Sequence, residues 1–330
     1  MNYVNCPSYA SLFFALHLKN RGEEITAITT SDNIKKYCDH VNIRCFQLKR
    51  IYFGTAIFQK IFEFKEQIDS MIAHLKISPG DEYYLLDISY TLEGFYIARV
   101  LSDKIKVNLS NLEEVRFKQY TGYLWEKRWL SFQFLKLFMK TCLGIDLILW
   151  DVNSEPVFGI GEKFLFRNKI TELRLEKSLS ELKIESMNKN YVKLKEYDNL
   201  IADQEVLLSG RIKANSILKL YEQLLSLNVS YVIKEHPNSK DSKLFGNLPK
   251  YPDYIPAELL LENIKKNVIS IFSTVLTAAC QVNGLRAVSM LELVEWENEN
   301  YKTYMKEWLT DQSSGKIVFV KTLAELKELL

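Results

Sequence analysis

Only five cysteines occur in 330 residues, at Cys6, Cys38, Cys45, Cys142 and Cys280, with no CxxC pair and no repeating spacing. That excludes a disulfide framework, and an odd, scattered set of thiols is what a reduced, cytosolic protein carries. The run Cys38-Asp39-His40, with Cys45 nearby, lacks the second ligand pair of a zinc site, so no metal is expected. An excess of one charge is also missing. Forty-three basic and 41 acidic residues leave a net +2, which gives no general pull toward nucleic acid, and no nucleic-acid module is recognisable. No basic segment precedes the apolar stretch Tyr9 to Leu18, so a secretory signal is not expected. Internal repeats and low-complexity tracts are absent too.

What is present is a two-domain composition. A chain of 330 residues exceeds the usual size of one core, and 47% hydrophobic with 25% charged residues is the balance of an ordinary globular protein. Strand-like and helix-like segments alternate: Met1 to Cys6 and a helix from Ser8; Glu24 to Thr29 and Asp32 to Val41; Glu82 to Ile88 and Leu92 to Leu101; then Lys104 to Leu109. This rhythm predicts an α/β fold with a parallel, doubly wound sheet. A second set opens with a strand near Glu205. It continues through a helix Asn215 to Leu227, a strand Ser230 to Lys234, a helix from Pro256, a strand Asn267 to Phe272 and a helix from Ser273. Strands at Arg286 to Met290 and Lys316 to Val320 and a short amphipathic helix, Thr322 to Leu330, complete it. The charge-rich stretch Glu172 to Asn199 reads as the connector, which gives domains 1–195 and 196–330.

The most chemically suggestive residues fall between Tyr231 and Ala279. The β-branched and aromatic run Tyr231-Val232-Ile233-Lys234 is stopped by Glu235-His236-Pro237-Asn238, because proline cannot continue a central strand. His236 therefore belongs to a strand end, and in an open α/β sheet ligands bind beyond the carboxyl ends of the strands. Asn267 to Phe272 ends at Ser273-Thr274 before the apolar Val275-Leu276-Thr277-Ala278-Ala279, so Ser273 or Thr274 caps a helix whose N-terminus suits a phosphate. Between them, Pro256-Ala257-Glu258 places an acid in the first turn of a helix.

His-Pro after a strand, then Pro-Ala-Glu, then Phe-Ser-Thr, in this order, resemble the bacterial GT-B sialyltransferases, including the lipooligosaccharide sialyltransferases and polysialyltransferases. The resemblance is clearest from Glu205 to Ala279. It implies two Rossmann-like domains facing a central cleft, an acceptor-side domain followed by a donor-binding one, with the last helix packing back on the first. It implies that His236 reaches the phosphate of a CMP-sugar and protonates the departing nucleotide, with Pro237 shaping its turn. Glu258 would take the ribose hydroxyls, and Ser273 and Thr274 the phosphate. Lys234 lies within the same donor motif. Val206-Leu207-Leu208-Ser209-Gly210-Arg211 fits the strand that opens such a donor domain, where Gly210 and Arg211 would lie against the nucleotide.

The acidic pair followed by glycine that supplies the acceptor base in that family does not occur. Asp87, at the end of Glu82-Tyr83-Tyr84-Leu85-Leu86, and Glu113 and Glu114, after Ile105 to Leu109, are the candidates, with Glu93 beside Gly94 a weaker one. Residues 117–150 interleave aromatic and basic residues. They suit a peripheral contact at the inner face of the cytoplasmic membrane or with an extended acceptor glycan, but a buried amphipathic helix is the favoured reading, and they are too often interrupted to span a bilayer. The expectation is a cytoplasmic, metal-independent transferase without a cofactor. It would move a nonulosonic acid from a CMP-sugar to a glycan or glycolipid hydroxyl. The alternatives are a CMP-Kdo or polyol-phosphate donor, or a non-catalytic nucleotide- or glycan-binding protein.

Overall fold

The computed structural model describes residues 1–51, 57–86, 92–110, 137, 140–144, 147–149, 164–166, 171–172, 175–203, 212–227, 229–236, 245–246 and 248–330. Met1–Leu182 forms one compact unit and Lys183–Leu330 a second. Each is built on a parallel sheet, so the chain is the α/β pair of Rossmann-like domains expected of the GT-B class.

In the first unit the elements run β1 (Asn2–Asn5), α1 (Tyr9–Asn20), β2 (Ile25–Thr29), α2 (Asp32–His40), β3 (Arg44–Gln47), α3 (Ile57–His74), β4 (Glu82–Leu85), α4 (Leu92–Leu101) and β5 (Lys106–Leu109). A small antiparallel pair, β6 (Leu147–Leu149) and β7 (Phe164–Phe166), and then β8 (Thr171–Glu172) follow. The six-stranded sheet has the order β3-β2-β1-β4-β5-β8, with every neighbour parallel. Its core gathers Tyr3, Ile28, Tyr83, Leu85 and Val107 from the strands with Phe64 and Ile68 of α3 and Phe95 and Ile97 of α4. Alternate strand residues point the other way, and there Tyr84 meets the ring of Phe14 on α1 at 5.2 Å. Helices therefore cover both faces.

In the second unit α5 (Leu179–Asn190) leads to β9 (Tyr197–Ala202), α6 (Ala214–Ser226), β10 (Tyr231–Lys234), a 3₁₀ helix (Ala257–Asn263) and β11 (Ile264–Ser270). After these come α7 (Val275–Ala279), β12 (Arg286–Ser289), a 3₁₀ turn (Leu291–Leu293), α8 (Glu299–Ser313), β13 (Val318–Phe319) and α9 (Leu323–Leu329). The division between the units falls within α5. The sheet order is β10-β9-β11-β12-β13, again all parallel. Helix α6 buries Ile217, Leu220, Tyr221 and Leu224, one stripe at helical spacing. Helix α8 starts where the Asn298 side chain accepts from the amides of Asn300 and Tyr301, and it stops where Ser314 and Gly315 turn left-handed.

Several expectations from the sequence are corrected. Among the described residues the second sheet has a strand, Tyr197–Ala202, that the sequence reading did not list; its first two residues are only partly buried, so its apolar signal is short. The segment Val206–Arg211 lies outside the described residues. The supposed connector Glu172 to Asn199 contains the helix α5, whose Leu182 and Met187 are buried. The helix from Pro256 is 3₁₀, seven residues long, and gives way directly to β11 at Ile264. The strand before Ser273 ends at Ser270 rather than Phe272, and α7 has only five residues before the turn at Gly284. The helix α3 and the strand β3 had no counterpart in the sequence reading. The last helix is tied to the second sheet, where Asn267 Nδ2 donates to the Leu329 carbonyl at 3.0 Å.

Among the described residues no helix is long and apolar enough to cross a membrane. Most of 117–150 lies outside the described residues. The five cysteines are free thiols, with Cys6 and Cys38 buried.

Candidate functional site

Parallel strands end on the same edge, and in the second sheet β10 and β11 flank β9. Lys234 is level with Ala202 of β9, and Ser270 reaches the Ala202 carbonyl at 2.8 Å, so all three strands finish together. The ends of β10 and β11 are then roughly 10 Å apart, two strand spacings. The chain leaves β9 toward β10 on one side and returns to β11 on the other, the switch in strand order where α/β sheets open a crevice.

At this edge His236 sits two residues beyond Lys234 and is half-buried. Beside it runs 249–251, held to β10 by Ile233 N–H on the Pro249 carbonyl (2.9 Å) and Tyr251 N–H on the Ile233 carbonyl (2.9 Å). The chain then turns through Pro252 to Pro256 into the 3₁₀ helix, which packs against α7. Glu258 is buried in the first turn of that helix, and its Oε1 lies 3.1 Å from Nζ of Lys183, a buried lysine of α5. Asn263 locks the helix to the segment after α5: its Nδ2 donates to the Val192 carbonyl (2.8 Å) and its Oδ1 accepts from Leu194 N–H (2.8 Å).

Lys234 is buried at 3% exposure, and its Nζ donates to the carbonyls of Glu235 and Asp253, each at 3.0 Å. Burial lowers its ammonium to about 8; Asp253, Glu258, Glu235 and Asp203 pull in the opposite direction. Glu235 is itself paired with Lys250 at 2.8 Å. Two acids of this edge, Glu258 and Glu235, are thus each paired with a lysine.

On the β11 side, Ser273 is half-buried and its Oγ accepts from Val275 N–H at 3.3 Å, so Ser273, not Thr274, caps α7. Thr274 is exposed, and its carbonyl accepts from the Thr277 hydroxyl at 2.7 Å. Buried Ser289 donates to the Ile271 carbonyl at 2.6 Å and steadies the turn below.

Of the donor candidates, Lys234, His236, Glu258, Ser273 and Thr274 are thus placed in one unit, around one sheet edge and the segment that packs on it. Gly210, Arg211 and Pro237 lie outside the described residues, as do the base candidates Asp87, Glu113 and Glu114. Glu93 is described: it is 9% exposed in the first turn of α4, next after β4 in the chain, where the strand order of the first sheet switches between β1 and β4. Burial raises its carboxyl above the usual range, with Arg50 partly offsetting this. Lys183 was not legible beforehand. It is 75 residues from its partner in sequence, and a lysine in a charge-rich stretch carries no local mark of burial. Among the described residues no group of three or more His, Cys, Asp or Glu is arranged to hold a metal ion.

No family model matches the chain, and no curated protein matches it. Solved structures align with it over most of its length. The glycosyltransferase SnogD from Streptomyces nogalater aligns over 100% of this chain and 89% of its own, with 12% identity and a TM-score of 0.45. The UDP co-structure of MnaA from S. aureus aligns over 98% and 93%, with 10% identity and a TM-score of 0.49. A putative UDP-N-acetylglucosamine 2-epimerase from Listeria monocytogenes aligns over 96% and 88%, with 10% identity and a TM-score of 0.46. At such identities and TM-scores these alignments assign no activity.

Proposed function

We propose that the chain is a glycosyltransferase that moves a nonulosonic acid from a CMP-sugar to a hydroxyl of a bacterial surface glycan. The observation that carries this reading is the placing of His236, Glu258 and Ser273 around one sheet edge, with the Glu258 carboxyl 3.1 Å from the Lys183 ammonium. In the reaction the bond between the sugar's anomeric carbon and the phosphate oxygen breaks, and the acceptor oxygen bonds to that carbon. His236 gives its proton to the departing phosphate, and a carboxylate takes the proton of the acceptor hydroxyl. Glu258 accepts from the ribose hydroxyls, and Ser273 and Thr274 donate to phosphate oxygens. Glu93, Asp87, Glu113 and Glu114 are the acids to be tested for the base.

Calorimetric titration with CMP, CDP, UDP and GDP tests the donor assignment. Selective binding of CMP, weakened in Glu258→Gln, is the expected result; preference for UDP or GDP, or no binding, overturns it. Assays with CMP-sialic acid, CMP-Kdo and polyol-phosphate donors then separate the transferases. With the correct donor, His236→Ala should lower kcat by roughly 10²- to 10⁴-fold while leaving CMP affinity nearly intact, the signature of a lost general acid.

A further inference from the structure

Lys234 lies inside the donor motif, yet its surroundings are not those of a ligand contact. It is 3% exposed, and two of its three ammonium hydrogens are committed to the carbonyls of Glu235 and Asp253, both at 3.0 Å. The first carbonyl belongs to the peptide bond that carries the His236 amide. The second opens the turn Asp253-Tyr254-Ile255-Pro256, which delivers Glu258. Two backbone bonds already zip β10 to 249–251 just below, and Lys234 extends that zipper across the point where the chains diverge. Among the described residues it is a side chain reaching from the last residue of the strand that spans the gap. A buried cation on two carbonyl dipoles is a strong, directional link, because each bond is charge-assisted and screened from water.

We propose that Lys234 is a positioning residue that fixes the separation of the His236 turn from the Glu258 segment, so that one cytidine nucleotide engages both. This role deepens, and rests on, the donor reading of the same edge. Its consequence is preorganisation. A nucleotide gripped at the phosphate by one segment and at the ribose by the other binds tightly only if the two are already at the right distance, and a misplacement of about 1 Å can cost about 10²-fold in rate.

The test begins with Lys234→Met, which keeps the stem and removes the donors. Thermal melting should show a folded protein. Backbone hydrogen exchange should rise together at residues 235–236 and 253–258 while the interior of β9 and β11 stays protected. CMP affinity should fall roughly tenfold and kcat/KM by up to about 10²-fold. Lys234→Ala supplemented with propylammonium, which supplies the atoms from Cγ to Nζ, should regain part of the lost CMP affinity, which a general loss of packing would not allow. Unchanged exchange in Lys234→Met overturns the clamp. Raised exchange with unchanged CMP affinity overturns its part in binding. If the wild type binds no cytidine nucleotide while exchange still rises in both segments, the donor reading and the binding role fail with it, and the coupling of the two segments stands alone.

Discussion

Lys234 at the end of β10 and Glu258 in the 3₁₀ helix are buried, each with a partner: two carbonyls for the lysine, the Lys183 ammonium for the glutamate. Tyr83 within β4 and Glu93 in the first turn of α4 that follows are buried as well, with Arg50 the opposite charge that acts on Glu93. The Tyr83 hydroxyl donates to the Gly94 carbonyl at 3.3 Å, and burial pushes Tyr83, Glu93 and the nearby Cys6 thiol upward, toward their neutral forms. The two edges share a topology and differ in how burial is tolerated. One keeps charges and orders them by pairing, which fixes distances and suits a ligand that brings its own charge and hydroxyls. The other suppresses charge, which suits a group that becomes charged only by giving or taking a proton.

The largest effect should come from breaking the pair. Glu258→Ala leaves Lys183 buried beside a missing partner and strips a counter-charge from Lys234, and removing one member of a buried pair costs about 3–5 kcal/mol. Urea unfolding of the single variant against Lys183→Met/Glu258→Leu should show most of that loss recovered in the double variant. Additive losses would mean that the two side chains do not act as a pair.

The next effect is a pH slope. Lys234 falls from 10.5 in an open chain to about 8 when folded, so its folded form sheds a proton that the unfolded chain still holds. Unfolding free energy should therefore rise between about pH 8 and 10.5, by about 3 kcal/mol on this group alone, and the contribution is lost as the pH falls through 8. Lys234→Met should abolish the slope. Parallel curves for wild type and variant would show that Asp253, Glu258, Glu235 and Asp203 together hold the ammonium in its ordinary range.

Much of this comparison could be read before the fold was known, but unevenly. The strand Tyr231–Lys234 and the helix Leu92–Leu101 were legible because a β-branched run stopped by proline and an apolar 3.6-residue spacing are local signals. The order His236, Glu258, Ser273 was legible as a motif. The type of helix at Glu258 was not, because Pro256 announces a helix start without saying that Asn263 will tie its end to Val192 and Leu194. Nor was Lys183, whose role depends on a contact 75 residues away. Lys234 could be placed at the strand end but not buried there, since its carbonyl partners belong to the backbone and leave no trace in residue identity.

The smallest of the expected effects probes the neutral edge. Glu93 has its carboxyl raised by burial, so the folded protein favours the protonated acid, and its contribution to stability is full below the ordinary carboxylate range and is lost as pH rises through the folded value. At pH 7 the unfolded chain holds Glu93 ionised, so folding carries the cost of its burial, which Arg50 only partly offsets. Glu93→Gln keeps the shape and removes that cost, and should stabilise the protein by about 1 kcal/mol at pH 7, a gain that shrinks toward zero near pH 4. Denaturant melts at the two pH values measure it. A loss of stability at pH 7 would show that Glu93 is held by a charge partner after all, and the two edges would then differ in degree rather than in kind. If Glu93→Gln is instead more stable and also loses glycosyl transfer while CMP affinity is kept, the destabilising carboxylate is retained for the reaction, as a base in a buried site would be.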